Sequence, residues 1–313
     1  MKSRIWVALF TLYIAWGTTY LAIRFAVETI PPFFMTGTRF LVAGLILYIW
    51  RRLAGDPAPT RFQWRSAIII GILLLVGGIG GVSLAEKYVP SGIAALIVAA
   101  TPLWVVLIDA VRPGGVRPTW RSLTGVLIGL IGIFMLVDPG KATGQQGGNS
   151  LLGIALILLA TLLWSIGSIY SHAAQLPGSP LLGTGMELLA GAAGSYFVGL
   201  LMGEAHQLDL SAVTSQSLLG LGYLIVVGSL IGFVCYTWLL RVAPTPFVVT
   251  YAYVNPLVAV FLGSLVVGET LTPWVLISTP LILIAVALIH MRQPKKAPEQ
   301  TQVIAVRASA GED

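Results

Sequence analysis

Residues 13–24 read YIAWGTTYLAIR and residues 161–172 read TLLWSIGSIYSH, and laying one over the other sets Trp16 on Trp164 at an offset of 148. The same offset, without a gap, lays GTRFL (37–41) over GMELL (185–189), and so Arg39 over Glu187. Further along the offset becomes 154. Pro90 then meets Pro244, Thr101-Pro102 meets Asn255-Pro256, and Trp120 meets Trp274. Landmarks that stay in register over most of a chain mark an internal repeat. The copies run over 1–140 and 151–292, joined by a Gly/Gln-rich linker at 141–150 and followed by a polar tail, 293–313, expected to be disordered.

Composition decides what each copy is made of. The chain has 313 residues, 57% hydrophobic and only 10% charged, with mean hydropathy +0.90. Soluble domains carry about a quarter charged residues. Apolar runs of roughly 17–25 residues, enough to cross a bilayer, recur at 5–23, 33–50, 66–85, 90–110, 120–137, 151–171, 183–202, 218–240, 245–267 and 272–290. No strand-like alternation interrupts them, so helices rather than a β-barrel satisfy the backbone in lipid. Five spans per copy is an odd number, so the second copy enters the membrane from the opposite side. The expected fold is an all-α polytopic membrane protein of ten transmembrane helices in two inverted five-helix repeats.

The net charge of +6 does not point to nucleic acid, because its distribution is that of a membrane protein. With the N-terminus cytoplasmic, the inside segments hold 14 of the 18 basic residues, among them Arg51, Arg52, Arg61, Arg65, Arg112, Arg117 and Arg121. This positive-inside bias puts both termini in the cytoplasm. Basic residues before the first apolar run resemble a signal peptide, but the run is long and lacks a small-residue cleavage site, so it reads as a retained helix. Cys235 is the sole cysteine, which excludes a disulfide framework and a thiolate metal site.

Inverted repeats place a binding site near the membrane midplane, at their interface. Two matched prolines fall there. Pro102 and Pro256 each lack a backbone donor and free the carbonyl one turn earlier, near Val98 and Ala252. Such breaks persist in lipid where polar side chains, neighbouring helices or a wet cavity satisfy them. Two readings stand: packing kinks in which Asn255 bonds its own backbone, or a symmetric pair of kinks facing a solute cavity. Tyr251 and Asn255, at i and i+4, share a helical face, whereas Tyr253 projects elsewhere. On the fourth span the matching face carries Ile97 and Thr101.

Trp16 and Trp164 lie too deep for an interfacial belt, with Tyr13, Tyr20, Ser168 and Tyr170 nearby. They read either as buried packing or as walls of an amphipathic pocket suited to flat or cationic solutes. The candidate solute-binding set is therefore Trp16, Tyr20, Thr101, Trp164, Ser168, Tyr251 and Asn255. Arg39 and Glu187 are charges inside spans, each costing about 2.5–3.5 kcal/mol at a helix centre and therefore facing protein or water. Arg39 either caps carbonyls, pairs with Glu28, or serves coupling or anion binding. Glu187 is the acidic residue best placed for proton coupling, and a direct Arg39–Glu187 pair is not expected, because their helices start on opposite membrane sides. Asp109 is expected to snorkel to the interface beside Arg112. The spacings Gly77/Gly81, Gly125/Gly129 and Gly228/Gly232 permit close helix approach and read as internal packing, and GGIGG (77–81) loosens the third span.

The segments LYIAWGTTYLAIRFAVE, GTRFLVAG, VPSGIAALIVAATPL, TYAYVNPLVAVFLG and GETLTP together resemble the EamA-type branch of the drug/metabolite transporter superfamily, over residues 5 to about 290. The resemblance implies the ten-helix inverted-repeat fold and export of small metabolites or drugs across a bacterial inner membrane. It departs from the pattern where Gly268-Glu269 after the ninth span is matched by Gly114-Gly115 after the fourth. An intramembrane enzyme is the rival class. However, His172, His206 and His290 are scattered, and neither H-E-x-x-H nor G-x-S-x-G nor a P-loop occurs. A channel would need a continuous pore. The expected protein is a secondary carrier without cofactor or metal, its partners a small-molecule solute and the bilayer, as a monomer or weak homodimer.

Overall fold

The computed structural model describes residues 2–99, 101–111, 119–136, 145–243, 248, 251–268 and 273–290; the expected tail lies outside them. Eleven helices of eight residues or more are described. Helix α1 spans Lys2–Ala26, α2 Pro32–Leu53, α3 Arg61–Ala85, α4 Ser91–Val98, α5 Thr101–Val111 and α6 Trp120–Leu136. Then come α7 at Gln145–Ala173, α8 at Pro180–Leu201, α9 at Ser215–Val242, α10 at Tyr251–Leu262 and α11 at Pro273–His290. Six of the described helices are long and apolar enough to cross a membrane: α1, α2, α3, α7, α8 and α9.

Two boundaries differ from expectation. Helix α7 begins at Gln145, so part of the expected linker is helical. The fourth span is split, because α4 ends at Val98 and α5 starts at Thr101. The residue preceding a proline is pushed away from α geometry, which puts the break beside Thr101-Pro102. The Thr101 hydroxyl donates to the Val98 carbonyl at 2.5 Å and so satisfies the carbonyl expected to be freed there. Pro256, by contrast, lies within α10.

Helix starts follow local chemistry that recurs along the chain. Pro32 and Pro180 occupy the first turns of α2 and α8, each 22 residues long, where a missing N–H costs nothing. Thr60 starts α3 with a capping box: its hydroxyl accepts from the Gln63 N–H at 3.3 Å, and Gln63 Oε1 accepts from the Thr60 N–H at 2.9 Å. Thr214 caps α9 in the same way through the Ser217 N–H at 3.2 Å. In the middle of α3 and of α9 the ladder widens to π-helix, over Gly71–Gly80 and Leu224–Phe233, ten residues each. Segments of this kind cluster at functional sites.

Helix α2 packs along α8, α6 along α11, α1 against α9 and α10, and α3 against α7 and α8. The contacts are close because glycines stand at the crossings. A Cβ on Gly71 would lie 2.7 Å from the Glu187 carbonyl oxygen, and one on Gly220 would lie 2.9 Å from that of Ala22. Among the expected pairs, Gly77 faces Leu163, Gly81 faces Ala160, and Gly228 and Gly232 face Arg39 and Trp16, so their described contacts are internal.

Between α8 and α9, Gly203 takes φ of +73° and turns the chain so that Glu204 reaches beneath α2. Its carboxylate, 3% exposed, accepts from the N–H of Phe33 at 3.0 Å and of Phe34 at 2.9 Å. Pro31, the N-cap, has no side chain to do this, and a negative charge suits a helix N-terminus. Replacing Glu204 with alanine strands two buried donors, so thermal unfolding in detergent should show a loss of about 1–3 kcal/mol. Unchanged unfolding would remove this clasp from the account. Between α2 and α3, Arg51 grips Asp56 through Nε–Oδ2 at 2.8 Å and Nη2–Oδ1 at 2.7 Å. The Arg51 bonds, and then one from Ser179, hold the Asp56 carboxyl below its ordinary range.

Candidate functional site: a cavity over an aromatic partition

Six of the seven candidate solute residues line one cavity: Trp16 and Tyr20 from α1, Thr101 from α5, Trp164 from α7, and Tyr251 and Asn255 from α10. Arg39 of α2 and Gly78 of the α3 π segment join them. The seventh, Ser168, lies outside the lining. Its hydroxyl donates to the Trp164 carbonyl at 2.7 Å and meets the Tyr236 hydroxyl at 2.9 Å. Ile97 is buried in the surrounding core and Val98 lines the cavity instead. The side chains of Pro102, Tyr253 and Asp109 lie outside the described residues. The space open to the centres of water-sized spheres is about 80 Å³. One water needs roughly 10–15 Å³ by that measure, so the cavity takes a few waters or a small solute.

The floor of this cavity is an aromatic cluster. Trp16 meets Trp164 edge-on with ring centroids 5.5 Å apart, and meets Tyr251 edge-on at 5.0 Å. Tyr236 of α9 closes the cluster from below, 4.9 Å from Trp16, 5.4 Å from Trp164 and 5.9 Å from Tyr251. Edge-to-face rings at these distances attract beyond their simple burial. Sequence reasoning missed Tyr236, because the repeat offers it no aromatic counterpart: the residue 154 positions earlier is Val82. Its spacing of four from Gly232 was the available signal.

Each tryptophan rests on a glycine of a π segment. A Cβ on Gly232 would lie 2.5 Å from Trp16 Nε1, and one on Gly78 would lie 2.7 Å from Trp164 Cε3. Trp16 Nε1 also donates to the Gly228 carbonyl at 3.3 Å. Gly78 and Gly232 are themselves related by the 154 offset.

On the other side of the cluster lies a second cavity, lined by Ile70 and Leu74 of α3, Ser171 of α7, Glu187 of α8, and Thr237 and Arg241 of α9. Helices α3 and α7 thus contribute to each cavity from positions one to two turns apart, with Trp164 and Ser168 at the level between. The expected separation of Arg39 and Glu187 is realised: one lines each cavity. Glu187 is 2% exposed, and its Oε2 has no hydrogen-bond partner among the described residues. Arg241 stands at its cavity with Nη1 on the Pro177 carbonyl at 3.0 Å.

Of the readings open for Arg39, the ion pair with Glu28 does not form. Glu28 is exposed, whereas Arg39 is 2% exposed and donates through Nε to the Ser229 hydroxyl at 2.7 Å. A two-turn separation between a helix interior and the loop preceding it put the carboxylate out of reach. Asn255 is 2% exposed. It lines the cavity, and its amide nitrogen, assigned to the orientation that satisfies its neighbours, donates to the carbonyls of Tyr251 at 3.1 Å and Tyr13 at 3.2 Å. The second bond ties α10 to α1.

Comparison with known proteins fits this arrangement. The EamA-like transporter family matches twice, over residues 4–138 and 151–291. The chain is 39% identical over 286 residues to a protein of Escherichia coli K12 named as the uncharacterized inner membrane transporter YedA, covering 91% of this chain and 90% of that one. It is 29% identical to protein PagO of Salmonella typhimurium, covering 86% and 88%. A solved crystal structure superposes with a TM-score of 0.64 at 22% identity, over 98% of this chain and 99% of its own. With both halves matched by one family, an all-helical apolar fold and a relative alike over nine-tenths of each chain, the protein belongs to the EamA-like transporter family.

Proposed function

We propose that this protein is a multi-pass secondary carrier of the bacterial inner membrane that moves small amphipathic organic solutes by alternating access. The single observation that carries this reading is the exchange of partners around the aromatic partition: Trp16 of α1 lies on Gly232 of α9, and Trp164 of α7 lies on Gly78 of α3. Swapping the two halves turns one contact into the other. The wider packing follows the same rule, since α2–α8 and α6–α11 pair equivalents while α1–α9 matches α7–α3. These regularities support ten spans in two inverted five-helix repeats, divided at about 141–150.

Such a pair of halves can exchange shapes, closing one cavity as the other opens. Trp16, Tyr20, Thr101, Trp164, Tyr251 and Asn255 contact the solute, with the breaks at Pro102 and Pro256 letting helices bend beside it. Ser168 acts from behind by holding Tyr236. Basic residues in alternate loops support cytoplasmic termini, with the Glu187 cavity on the cytoplasmic side. Kinship with inner membrane transporters supports an efflux carrier, monomeric or weakly dimeric, and neither an enzyme nor a nucleic-acid binder. Glu187 is the coupling carboxyl: it is buried, faces a cavity, and has Arg241 and Tyr236 as its charged and titratable neighbours.

The test is metabolite release from liposomes holding purified protein, with and without a pH gradient. Saturable flux with counter-exchange is expected. Glu187→Gln should keep exchange and lose the response to the gradient. Unsaturable ohmic current would instead make the protein a channel.

A further inference from the structure

From the hydrogen-bond arrangement of the first cavity, we infer that it is an anion site: the solute carries a negatively charged group, a carboxylate or an equivalent acid, that docks on the Arg39 guanidinium while its apolar part lies against the aromatic partition. This rests on the carrier reading and adds the charge of the cargo to it.

The threonine hydroxyl and asparagine amide hydrogens around the cavity are already committed to backbone carbonyls. Thr19 donates to the Trp16 carbonyl at 2.7 Å, Thr101 to that of Val98 at 2.5 Å, and Thr161 to that of Leu158 at 2.9 Å. The Asn255 amide donates to two carbonyls. Two groups remain. Among the described residues the Arg39 guanidinium has one hydrogen-bond partner, the Ser229 hydroxyl at Nε, which leaves its two terminal nitrogens uncommitted. Trp164 Nε1 is buried without a well-aligned hydrogen bond, but the Tyr236 and Tyr251 hydroxyls lie close enough to interact with it, so it is not a free donor. The uncommitted charged donors of the cavity are therefore those of Arg39, and they ask for an acceptor.

Charge points the same way. No carboxylate is among the lining residues, and no described carboxylate forms an ion pair with Arg39. The Phe40 ring, 5.3 Å from its central carbon, is a weak compensation, and the buried carboxylate of Glu86 acts on Tyr20 of the lining without pairing with Arg39. A buried cation left this way is costly, and an anion that fits its fork of donors recovers that cost. A cationic solute would meet repulsion instead. Gly228 makes the arrangement fit, since a Cβ there would lie 2.5 Å from Arg39 Nη2.

The probe is a matched set of one shape and three charges: benzoate, benzamide and benzamidinium, titrated against the detergent-purified full chain with the unfolding temperature as readout. Benzoate should raise it saturably, binding at least tenfold tighter than benzamide, with benzamidinium giving no saturable shift. Arg39→Gln should erase the tenfold preference, and Arg39→Lys should keep part of it. If Arg39→Gln does not fold, the ranking on the unaltered protein decides alone. Equal shifts from all three, a preference for benzamidinium, no shift from any, or a benzoate preference that survives Arg39→Gln each overturn the anion site. Saturable flux of benzamide or benzamidinium in liposomes would leave the carrier reading standing without it. Benzoate binding without saturable flux would leave the site standing without the carrier.

Discussion

Replacing Trp164 with alanine is expected to remove saturable solute flux and to leave an unsaturable leak. Trp164 is 8% exposed and is wedged between Trp16, Tyr236 and the Gly78 face of α3. Removing a buried indole from a packed cluster costs about 3–5 kcal/mol. The void would open at the level where the two cavities come closest, so the same substitution that loosens the fold also joins them. Solute then crosses without waiting for the halves to change places. The check is flux against solute concentration at matched amounts of inserted protein. Saturable flux at the unaltered level would take Trp164 out of both the partition and the solute site.

Asn255→Leu should lower flux at least tenfold while the protein still inserts, and the reason lies in backbone carbonyls. The amide nitrogen of Asn255 serves the Tyr251 and Tyr13 carbonyls at once. Leucine has the same branching and number of side-chain heavy atoms but serves neither, leaving buried acceptors that cost about 1–3 kcal/mol. The α10–α1 tie is lost beside the cavity wall. Asn255→Asp separates this account from simple packing. An ionised carboxylate only accepts, so facing two carbonyls it should fall below leucine in unfolding temperature and in flux. Aspartate performing as well as asparagine would show that the amide donates nothing of consequence there.

Much of the fold was legible in the chain because a bilayer demands little and demands it strictly. A span has to be long, apolar and internally hydrogen-bonded, so α1, α2, α3, α6, α7, α8 and α9 appear in the apolar runs close to their observed limits. The repeat survived in the sequence because Pro32 and Pro180, Thr60 and Thr214, and Gly78 and Gly232 perform the same local tasks in each copy. The candidate site was legible in part for the same reason, through Trp16, Trp164, Tyr251 and Asn255. Tyr236 and Ser229 were not. Neither has a like residue at its matched position, Ser229 falling opposite Leu75, and a side chain that departs from the repeat leaves no pattern to find. That mismatch gives Arg39 a hydroxyl partner and leaves Glu187 Oε2 without one.

By itself the sequence determined that the chain is a multi-pass membrane protein, that its backbone closes into helices, and that one pattern of landmarks is used twice, because these depend on periodicity and on transfer from water. Only the tertiary structure decided that the aromatics form a wall between two cavities, that Arg39 answers to Ser229 rather than Glu28, and which donors stay uncommitted. Those outcomes depend on which helix faces meet, and on glycine gaps in two π segments that let indole and guanidinium groups lie against a backbone far away in the chain.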